Sequence, residues 1–316
     1  MSKKPENKKT FVILGPTSSG KTSLALELCR RYRGEIISAD SRQVYKYMDI
    51  GTGKAPVGEA LSIKRGSKKW VVDNVNIWGY DLVYPGEYSS AYDFAQFALP
   101  KIEEIENTGT TAILVGGTGF YIETVTGKTK ISAIKPDYEL RKILEDQDIA
   151  ELQQKLMSLN LKVFDTIDRN NKVRLIRAIE RELVKNTDAT PLPYPDPDSF
   201  VYIGLTSDRS VLYKKADMWL DAVWASGLLD EVHCLINLGF ADTPQIRGLV
   251  YKSALAYINN EQTEQDAIQR AKYDLHSYVR RQQTWFKRIP EITWFDISDK
   301  NFSQKVFDTV ESYIRR

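Results

Sequence analysis

The chain has 316 residues, of which 42% are hydrophobic and 27% charged, as in an ordinary globular protein of one or two domains. It contains no run of about 18 apolar residues, so no membrane-spanning helix is expected. The formal net charge is only +2, so a polyanionic partner would have to bind a local basic patch. Two cysteines and two histidines form no metal-binding pattern, and they favour a reducing, cytoplasmic compartment.

The N-terminal part of the chain predicts strands that alternate with helices. Residues 1–10 are polar and basic and lack an apolar stretch, which excludes a secretory signal and predicts a short disordered tail. Such alternation is typical of an α/β fold, a parallel sheet flanked by helices, with ligands at the carboxyl ends of the strands. The predicted elements are strands at 11–14, 36–39 and 111–115, a helix over 22–32, and weaker strand signals at 70–72 and 77–78.

The character of the chain changes near Pro136. Residues 137–185 are charged, nearly free of Gly and Pro, and helical in period. The prolines at 191, 193, 195 and 197 forbid a helix and predict a linker. A buried strand over 200–205, helices to about residue 288 and a late strand in ITWFDIS follow. We therefore predict a discontinuous core, 8–135 and 198–316, interrupted by a helical insertion domain at 136–197.

The segment GPTSSGKT has the spacing of a phosphate-binding loop and stands between a predicted strand and a predicted helix. The N–H groups of such a loop, with the N-terminus of the next helix, bind phosphate oxygens. Lys21 would add a positive charge, and Thr22 would bind a Mg²⁺ ion that bridges phosphate oxygens. The motif fixes the ligand's chemistry but not the reaction. The predicted phosphate-binding residues are Gly15, Pro16, Thr17, Ser18, Ser19, Gly20, Lys21 and Thr22.

Asp40, after the second predicted strand, is the candidate that discriminates between reactions. A carboxylate facing phosphates repels them unless it binds a metal or takes up a proton. Its position after an apolar run fits a magnesium ligand, whereas a general base must lie within hydrogen-bond reach of the proton that it removes. A third interpretation is that Asp40 caps a helix beginning at Ser41. These residues alone leave all three open.

Four segments, GPTSSGKTSLALEL, EIISADSRQVYKYMDIGTGK, AILVGGTGFY and RRQQTWFKR, together resemble the tRNA dimethylallyltransferase (isopentenyltransferase) family. The second is the most specific, because a generic kinase has no need of that string. Weaker matches, NNKVRLIRAIE and QIRGLVYK, extend the resemblance over about residues 11–290. The resemblance implies a P-loop NTPase-like core and a prenyl transferase activity.

The family's chemistry would explain the phosphate-binding loop. It would hold the diphosphate of dimethylallyl diphosphate, the leaving group, while the acceptor is N6 of the adenosine 3′ of the anticodon in tRNA. The resemblance makes Asp40 the base for that amine, with Mg²⁺ on Thr22 and the charge of Lys21 neutralising the leaving group. Thr118 matches the family threonine near the flipped adenine. The expected partners are tRNA and dimethylallyl diphosphate, with no membrane, and the expected state is a monomer.

RNA contacts are expected on both parts of the chain. Arg174, Arg177 and Arg181 form one basic face of a predicted helix, which without the resemblance would equally be a solvated face. Trp285 and Phe286 lie in the C-terminal motif but would equally pack their helix onto the sheet. The positions that the resemblance assigns to tRNA are Asp40, Ser41, Arg42, Gln43, Thr118, Arg141, Arg174, Arg177, Arg247, Tyr251, Lys252 and Gln282.

The chain also departs from the family pattern. IWGYDLVYP stands where HHLIDI.DP is usual, with extra residues around SIKRGSKKW before it. Lys215 and Trp219 replace two family arginines, so positive charge at the leaving group would come from Lys214, Lys215 or another segment. The alternatives are an adenylate isopentenyltransferase, which needs no basic insertion helix, a small-molecule kinase, which leaves ADSRQVYKYMDIGTGK unexplained, and an RNA-binding protein with impaired catalysis.

Overall fold

A computed structural model describes residues 9–54, 61–131, 134, 137–184 and 192–314. The predicted tail, apart from its last two residues, and Pro191 of the predicted linker lie outside these residues. So do positions 135 and 136, where the predicted insertion begins. Among the described residues, no helix is both long and apolar enough to cross a membrane.

An eight-stranded sheet forms the core, with the spatial order β3-β4-β5-β2-β6-β1-β7-β8. Short runs of β-branched and apolar residues, stopped by Gly or polar residues, form its central strands, as predicted. The strands are β1 (Thr10–Leu14), β2 (Gly34–Ser38), β3 (Ile63–Gly66), β4 (Lys69–Val72), β5 (Val75–Trp78), β6 (Thr111–Gly116), β7 (Phe200–Thr206) and β8 (Thr293–Asp296).

The sheet is mostly parallel, as predicted, with an antiparallel extension at one edge. All neighbours from β5 to β8 pair in parallel, but β3 with β4 and β4 with β5 pair antiparallel. The reason is local. Lys68, Asp73 and Asn74, in the two connections, have φ values of 64°, 47° and 62°, and such left-handed turns join antiparallel strands.

Helices cover the core sheet. Their apolar residues recur at helical spacing, and α1 (Lys21–Tyr32) and α12 (Phe302–Ile314) share one buried cluster with the strands. The other core helices are α2 (Ala91–Asn107), α3 (Gly119–Val125), α8 (Arg209–Val223), α9 (Leu229–Asn237), α10 (Leu249–Ile258) and α11 (Glu264–Phe286). Pro197, predicted to forbid a helix, instead opens a single 3₁₀ turn over Pro197–Ser199, where its missing N–H costs nothing.

The chain divides into two compact units, 1–129 with 194–316, and 130–193. The predicted boundaries, 136 and 197, fall a few residues later at both ends. The second unit has its own small core, in which leucines of three helices meet Ile176 and Ile179. Its helices are α4 (Tyr138–Glu145), α5 (Ile149–Leu159), α6 (Leu161–Thr166) and α7 (Lys172–Leu183).

Candidate active site

The phosphate-binding loop connects β1 to α1, as the sequence predicts. Gly15 has φ 151°, and a Cβ there would lie 2.4 Å from the Leu205 carbonyl oxygen, so no side chain fits. Gly20, with φ 84°, precedes α1, and no side chain caps that helix N-terminus. Backbone N–H groups at an uncapped N-terminus are available to an anion. The loop therefore has the backbone that an anion cradle requires.

The side chains of this loop fit phosphate oxygens. The hydroxyls of Ser18 and Ser19 are buried and have no hydrogen-bond partner among the described residues, a costly state unless a ligand supplies one. Lys21 Nζ donates to the Pro16 carbonyl at 2.5 Å. Burial lowers the pKa of Lys21 to about 8, against the opposing charge of Asp40. An anionic ligand would remove this penalty on the Lys21 charge.

One cavity of about 360 Å³ brings the loop together with the predicted base. Asp40, Lys21 and Thr22 all line it, because β1 and β2 end at the same edge of the sheet. Lys215 and Trp219, the departures from the family pattern, also line it, so a cation remains where the indole supplies none. The other residues lining the cavity are Thr17, Ser18, Gly20, Ser23, Ile36, Ser38, Gln43, Thr52, Gly53, Tyr80, Val115, Gly116, Gly117, Met218 and Gln282.

The donors in this cavity fit a magnesium ion. Mg²⁺ prefers oxygen ligands and usually keeps waters and substrate phosphates in its shell. The Thr22 hydroxyl and the Asp40 carboxylate supply such oxygens beside the cradle. The described residues contain no cluster of three or more His, Cys, Asp or Glu that would hold a metal without a ligand's help. Thr22 is therefore the residue that would hold the ion, which would supply positive charge beside an anionic ligand.

Asp40 follows β2 in a turn and does not cap a helix. Residues 41–44 form turns, which removes the helix-cap interpretation. One Asp40 oxygen, Oδ1, accepts the Arg42 N–H at 2.9 Å. The neighbouring Ser41 N–H donates to Thr118 Oγ1 at 3.0 Å, which ties this turn to the end of β6. The carboxylate is thus oriented at the cavity by its own turn.

Tyr278 lies beside Asp40 and Thr118, although the sequence analysis did not single it out. Its hydroxyl is hydrogen-bonded to the side chain of Thr118, and burial, followed by the charge of Asp40, raises its pKa well above the usual range. A neutral phenol beside Asp40 and Thr118 is a fixed polar partner for a bound base or for Thr118. One signal was available: Tyr278 precedes Gln282 by one helical turn, on the same face of α11.

Two glutamines predicted to bind RNA, Gln282 and Gln43, instead make hydrogen bonds within the protein. Gln282 Oε1 accepts the Thr17 N–H at 2.8 Å, and its Nε2 donates to the Gly117 carbonyl at 2.9 Å. Gln43 accepts the Ser38 hydroxyl at 2.6 Å and donates to the carbonyls of Thr52 and Gly53, both at 3.0 Å. Both side chains therefore brace backbone segments that line the cavity.

Tyr251, expected to face the substrate, is buried. Its side chain is 0% exposed, and its hydroxyl donates to Glu231 Oε1 at 2.6 Å. Glu231 also accepts the N–H groups of residues 49–51 at 2.7 to 3.0 Å. The ring lies where any side chain at Gly51 would clash. Tyr251 thus supports the loop that follows Asp40, because its hydroxyl is bonded to Glu231 and its ring lies against Gly51.

The other predicted RNA contacts in the core are divided between exposed and packed positions. Arg247 and Lys252 are exposed, and Arg247 pairs with Asp242 at 2.8 Å. The Arg42 guanidinium lies against the backbone of Gly248. At the C-terminal motif, Trp285 packs on α3 and donates its Nε1–H to Glu123 at 2.9 Å. Its packing is thus on a helix, whereas the sequence analysis considered the sheet.

A buried lysine, Lys54, gives a structural role to part of the segment EIISADSRQVYKYMDIGTGK. Lys54, at the end of MDIGTGK, is 0% exposed, and its ammonium contacts Asp49 at 2.7 Å and Asp81 at 2.6 Å. It also donates to the Tyr45 carbonyl at 2.7 Å, so each of its three donors has a partner. This charge cluster fixes the loop from Tyr45 to Lys54, which includes two residues of the cavity wall, Thr52 and Gly53. The sequence analysis assigned Lys54 no role.

The predicted arginines of the insertion have unequal surroundings. Glu180 is 0% exposed and accepts hydrogen bonds from Arg141, from Arg177 and from the Asp137 N–H. Burial alone would raise the pKa of Glu180, but these bonds lower it overall. Arg174 is different, since its side chain is 64% exposed and its nearest carboxylate, on Asp168, is 3.8 Å away. Among the three, Arg174 is the most available to a partner.

Comparisons with known proteins identify the family of the chain. The profile of the IPP transferase family matches residues 43–289, and that of the isopentenyl transferase family matches residues 8–74. A tRNA dimethylallyltransferase of Acetivibrio thermocellus is 36% identical over 96% of both chains. One of Halalkalibacterium halodurans is 34% identical over 95% of both.

Solved structures show the same fold. A tRNA isopentenylpyrophosphate transferase of Bacillus halodurans is 32% identical, with a TM-score of 0.69 over 98% of this chain and 97% of that one. A eukaryotic dimethylallyltransferase that acts on tRNA has a TM-score of 0.76 at 23% identity, over 98% of this chain and 80% of that one, which supports the fold alone. Given a family profile that covers most of the chain and relatives that are more than 30% identical over nearly its whole length, the chain belongs to the IPP transferase family.

Proposed function

We propose that this protein transfers the dimethylallyl group of dimethylallyl diphosphate to N6 of the adenosine next to the anticodon in tRNA and releases diphosphate. The observation that carries the proposal is that an anion cradle and an acidic side chain, Asp40, line one cavity of about 360 Å³. A kinase can also use an aspartate as its base, so the family match and the relatives named tRNA dimethylallyltransferase favour N-prenylation over phosphoryl transfer.

The residues of the cavity divide the reaction between them. The N6 lone pair attacks the allylic carbon as that carbon's bond to the diphosphate oxygen breaks, and Asp40 accepts the amine proton. The phosphate-binding loop, Lys21 and Lys215 stabilise negative charge as it grows on the leaving group. Thr22 would hold Mg²⁺ against the same oxygens. Thr118 and Tyr278 position the turn that carries Asp40.

A tRNA acceptor is favoured over a free adenine nucleotide. The curated relatives that match over nearly the whole chain are named for action on tRNA. The insertion unit and its exposed Arg174 would have no use with AMP. The predicted cytoplasmic location and monomeric state are part of this proposal.

Mass spectrometry of the nucleosides tests the function. The protein would be incubated with Mg²⁺, dimethylallyl diphosphate and either unmodified tRNA or AMP. We expect a dimethylallyl group on the tRNA adenosine and none on AMP. Modification of AMP alone would support the adenylate transferase, and transfer of the terminal phosphoryl group of ATP to a small molecule would support the kinase. An unmodified tRNA that still binds would support the RNA-binding protein.

A further inference from the structure

A basic hairpin tip lies at the edge of the core sheet. We use "basic tip" for Lys64, Arg65, Lys68 and Lys69, which lie on β3, on the connection after it and at the start of β4. Residues 62–68 are exposed, and Lys69 is partly exposed. Residues 61–72 contain no Asp or Glu. The tip therefore carries four like charges within six residues, in a segment that departs from the family pattern.

Little in the described part of the chain neutralises these charges. Only Arg65 has an ion pair there, at 3.5 Å from Asp49, and that carboxylate already binds Lys54. The Lys69 ammonium lies 5.0 Å from the centre of the Trp78 ring, which attracts it without cancelling its charge. Uncompensated like charges repel one another, and an anionic partner would relieve that repulsion.

The strand register places the basic tip at the same edge of the sheet as the cavity. Lys69 pairs with Trp78 at the carboxyl end of β5, and Trp78 pairs with Ile37 near the end of β2. The Lys68 carbonyl accepts the Gly79 N–H at 3.1 Å, directly after β5. Since β4 is two strands from β2, the tip lies about 10 Å to the side of the strand that leads to Asp40.

Protection of a sheet edge does not account for the whole tip. Charged side chains on an edge strand discourage pairing with other chains. That role suits Lys64 and Arg65, which lie on the edge strand β3. It does not explain Lys68, in the connection, or Lys69, on an inner strand that is already paired on both sides. Within the tip, these two lysines lie nearest the carboxyl ends of the strands, where the cavity lies.

We propose that the basic tip binds the sugar-phosphate backbone of the RNA that carries the acceptor adenosine. This rests on the proposed function and adds a contact surface to it. A base held at Asp40 brings its neighbouring phosphates to this edge, within reach of long basic side chains. Such contacts contribute affinity and orientation without reading the sequence. The tip thus extends the RNA-binding surface beyond the residues that the family resemblance assigns.

The test compares two triple variants of the full-length protein with equal charge changes. The first carries Lys64→Gln, Lys68→Gln and Lys69→Gln, and it keeps Arg65 because that side chain packs on Trp70. The control carries Lys9→Gln, Arg30→Gln and Arg33→Gln. Lys9 lies just before β1, Arg30 in the last turn of α1 and Arg33 just before β2, all near the amino ends of the central strands. For each we would measure tRNA affinity across salt concentrations, inorganic diphosphate affinity and the melting temperature.

For the first variant we expect about tenfold weaker tRNA binding at low salt and a salt slope lower by about 2. Its diphosphate affinity and melting temperature should stay those of the wild type, and the control should keep the wild-type slope. The inference would be overturned by an unchanged salt slope in the first variant or by an equal decrease in the control. In either case, normal prenylation of tRNA by the wild type would leave the proposed function intact. Binding to phosphatidylserine vesicles would be measured as well. If the salt slope for tRNA stayed unchanged and the first variant lost a vesicle binding that the wild type shows, the tip would be assigned to a lipid surface instead. A wild type that neither binds nor modifies tRNA would contradict the proposed function itself.

Discussion

The cavity of the core and the helices of the insertion both contain basic residues that the family resemblance singled out, but the two regions use them differently. In the core, Lys21 and Lys215 line a cavity, and buried hydroxyls beside Lys21 have no partner within the part of the chain that the structure describes. In the insertion, Arg141 and Arg177 are held by the buried carboxylate of Glu180. The same type of charge is thus available to a ligand in one region and committed to folding in the other. A motif identifies the charge, but only its neighbours decide whether it is available.

Removal of the Asp40 carboxylate should have the largest effect on the core. Asp40→Ala should lower the rate of prenyl transfer by about 10³-fold, the usual contribution of a general base. Calorimetry should show inorganic diphosphate bound as tightly as before or more tightly, because a negative charge leaves the cavity. Asp40→Asn keeps the hydrogen bond from the Arg42 N–H and serves as the matched control for the turn. Near-normal turnover of both variants would remove Asp40 from the role of base.

Glu180→Gln should have the largest effect on the insertion. Two arginines would then face a neutral side chain, and breaking such a buried pair destabilises by about 3 kcal/mol. Hydrogen exchange should show faster exchange in residues 137–183 with little change around the phosphate-binding loop. Glu182→Gln, on the same helix, is the control, because the Glu182 carboxylate accepts one hydrogen bond from Asn160. Equal protection in wild type and Glu180→Gln would show that the cluster is not structural.

The same cluster predicts a pH dependence. The pKa of Glu180 is lowered in the folded protein, so its contribution to stability is present above its ordinary pKa of about 4.5 and is lost as the pH falls through the lower, folded value. Acid should therefore lower the stability of the wild-type insertion towards that of Glu180→Gln, whose own stability should change less over the same pH range. Parallel acid transitions in the two proteins would contradict this assignment.

Gln282→Ala should have an intermediate effect, on the core alone. The Thr17 N–H and the Gly117 carbonyl would lose their partners, at a cost of about 1 to 3 kcal/mol. We expect about tenfold weaker binding of dimethylallyl diphosphate, since 1.4 kcal/mol corresponds to a factor of ten. Gln283→Ala is the matched control, because the buried Oε1 of Gln283 has no hydrogen-bond partner among the described residues. Identical affinities for the two variants would show that Gln282 does not brace the loop.

Two single substitutions in α7 should have the smallest effects and separate binding from folding. Arg174→Gln should lower the salt slope of tRNA binding by about 1 without a change in melting temperature, since its side chain is mostly exposed. Arg177→Gln should instead lower the melting temperature, because it removes a donor to Glu180. The double variant should show both effects. A wild-type salt slope in Arg174→Gln would return this face of α7 to ordinary solvated surface.

Much of the core could be predicted because its signals are local. The phosphate-binding loop needs glycine at Gly15 and Gly20, and the strands need short apolar runs, both of which are visible in the sequence. The antiparallel β3–β4–β5 hairpins were missed although Asp73 and Asn74 form a left-handed turn, a signal that was present but unused. The helical spacing of Tyr278 from Gln282 was a second unused signal, whereas Lys54 could not be placed, because its role depends on partners brought close only by the folded chain.

The sequence by itself determined the family, the phosphate-binding loop, the acidic residue after the second strand and the presence of a helical insertion. The family follows from the resemblance of its motifs, and the other three are properties of spacing and periodicity along the chain. Only the tertiary structure decided that Tyr251, Gln43 and Gln282 are internal supports and that Arg174 is more available than Arg177. The physical reason is that hydrogen bonds and burial depend on neighbours distant in sequence. Two identical side chains on one helix thus differ in their availability to a partner according to the carboxylate that the fold places beside them.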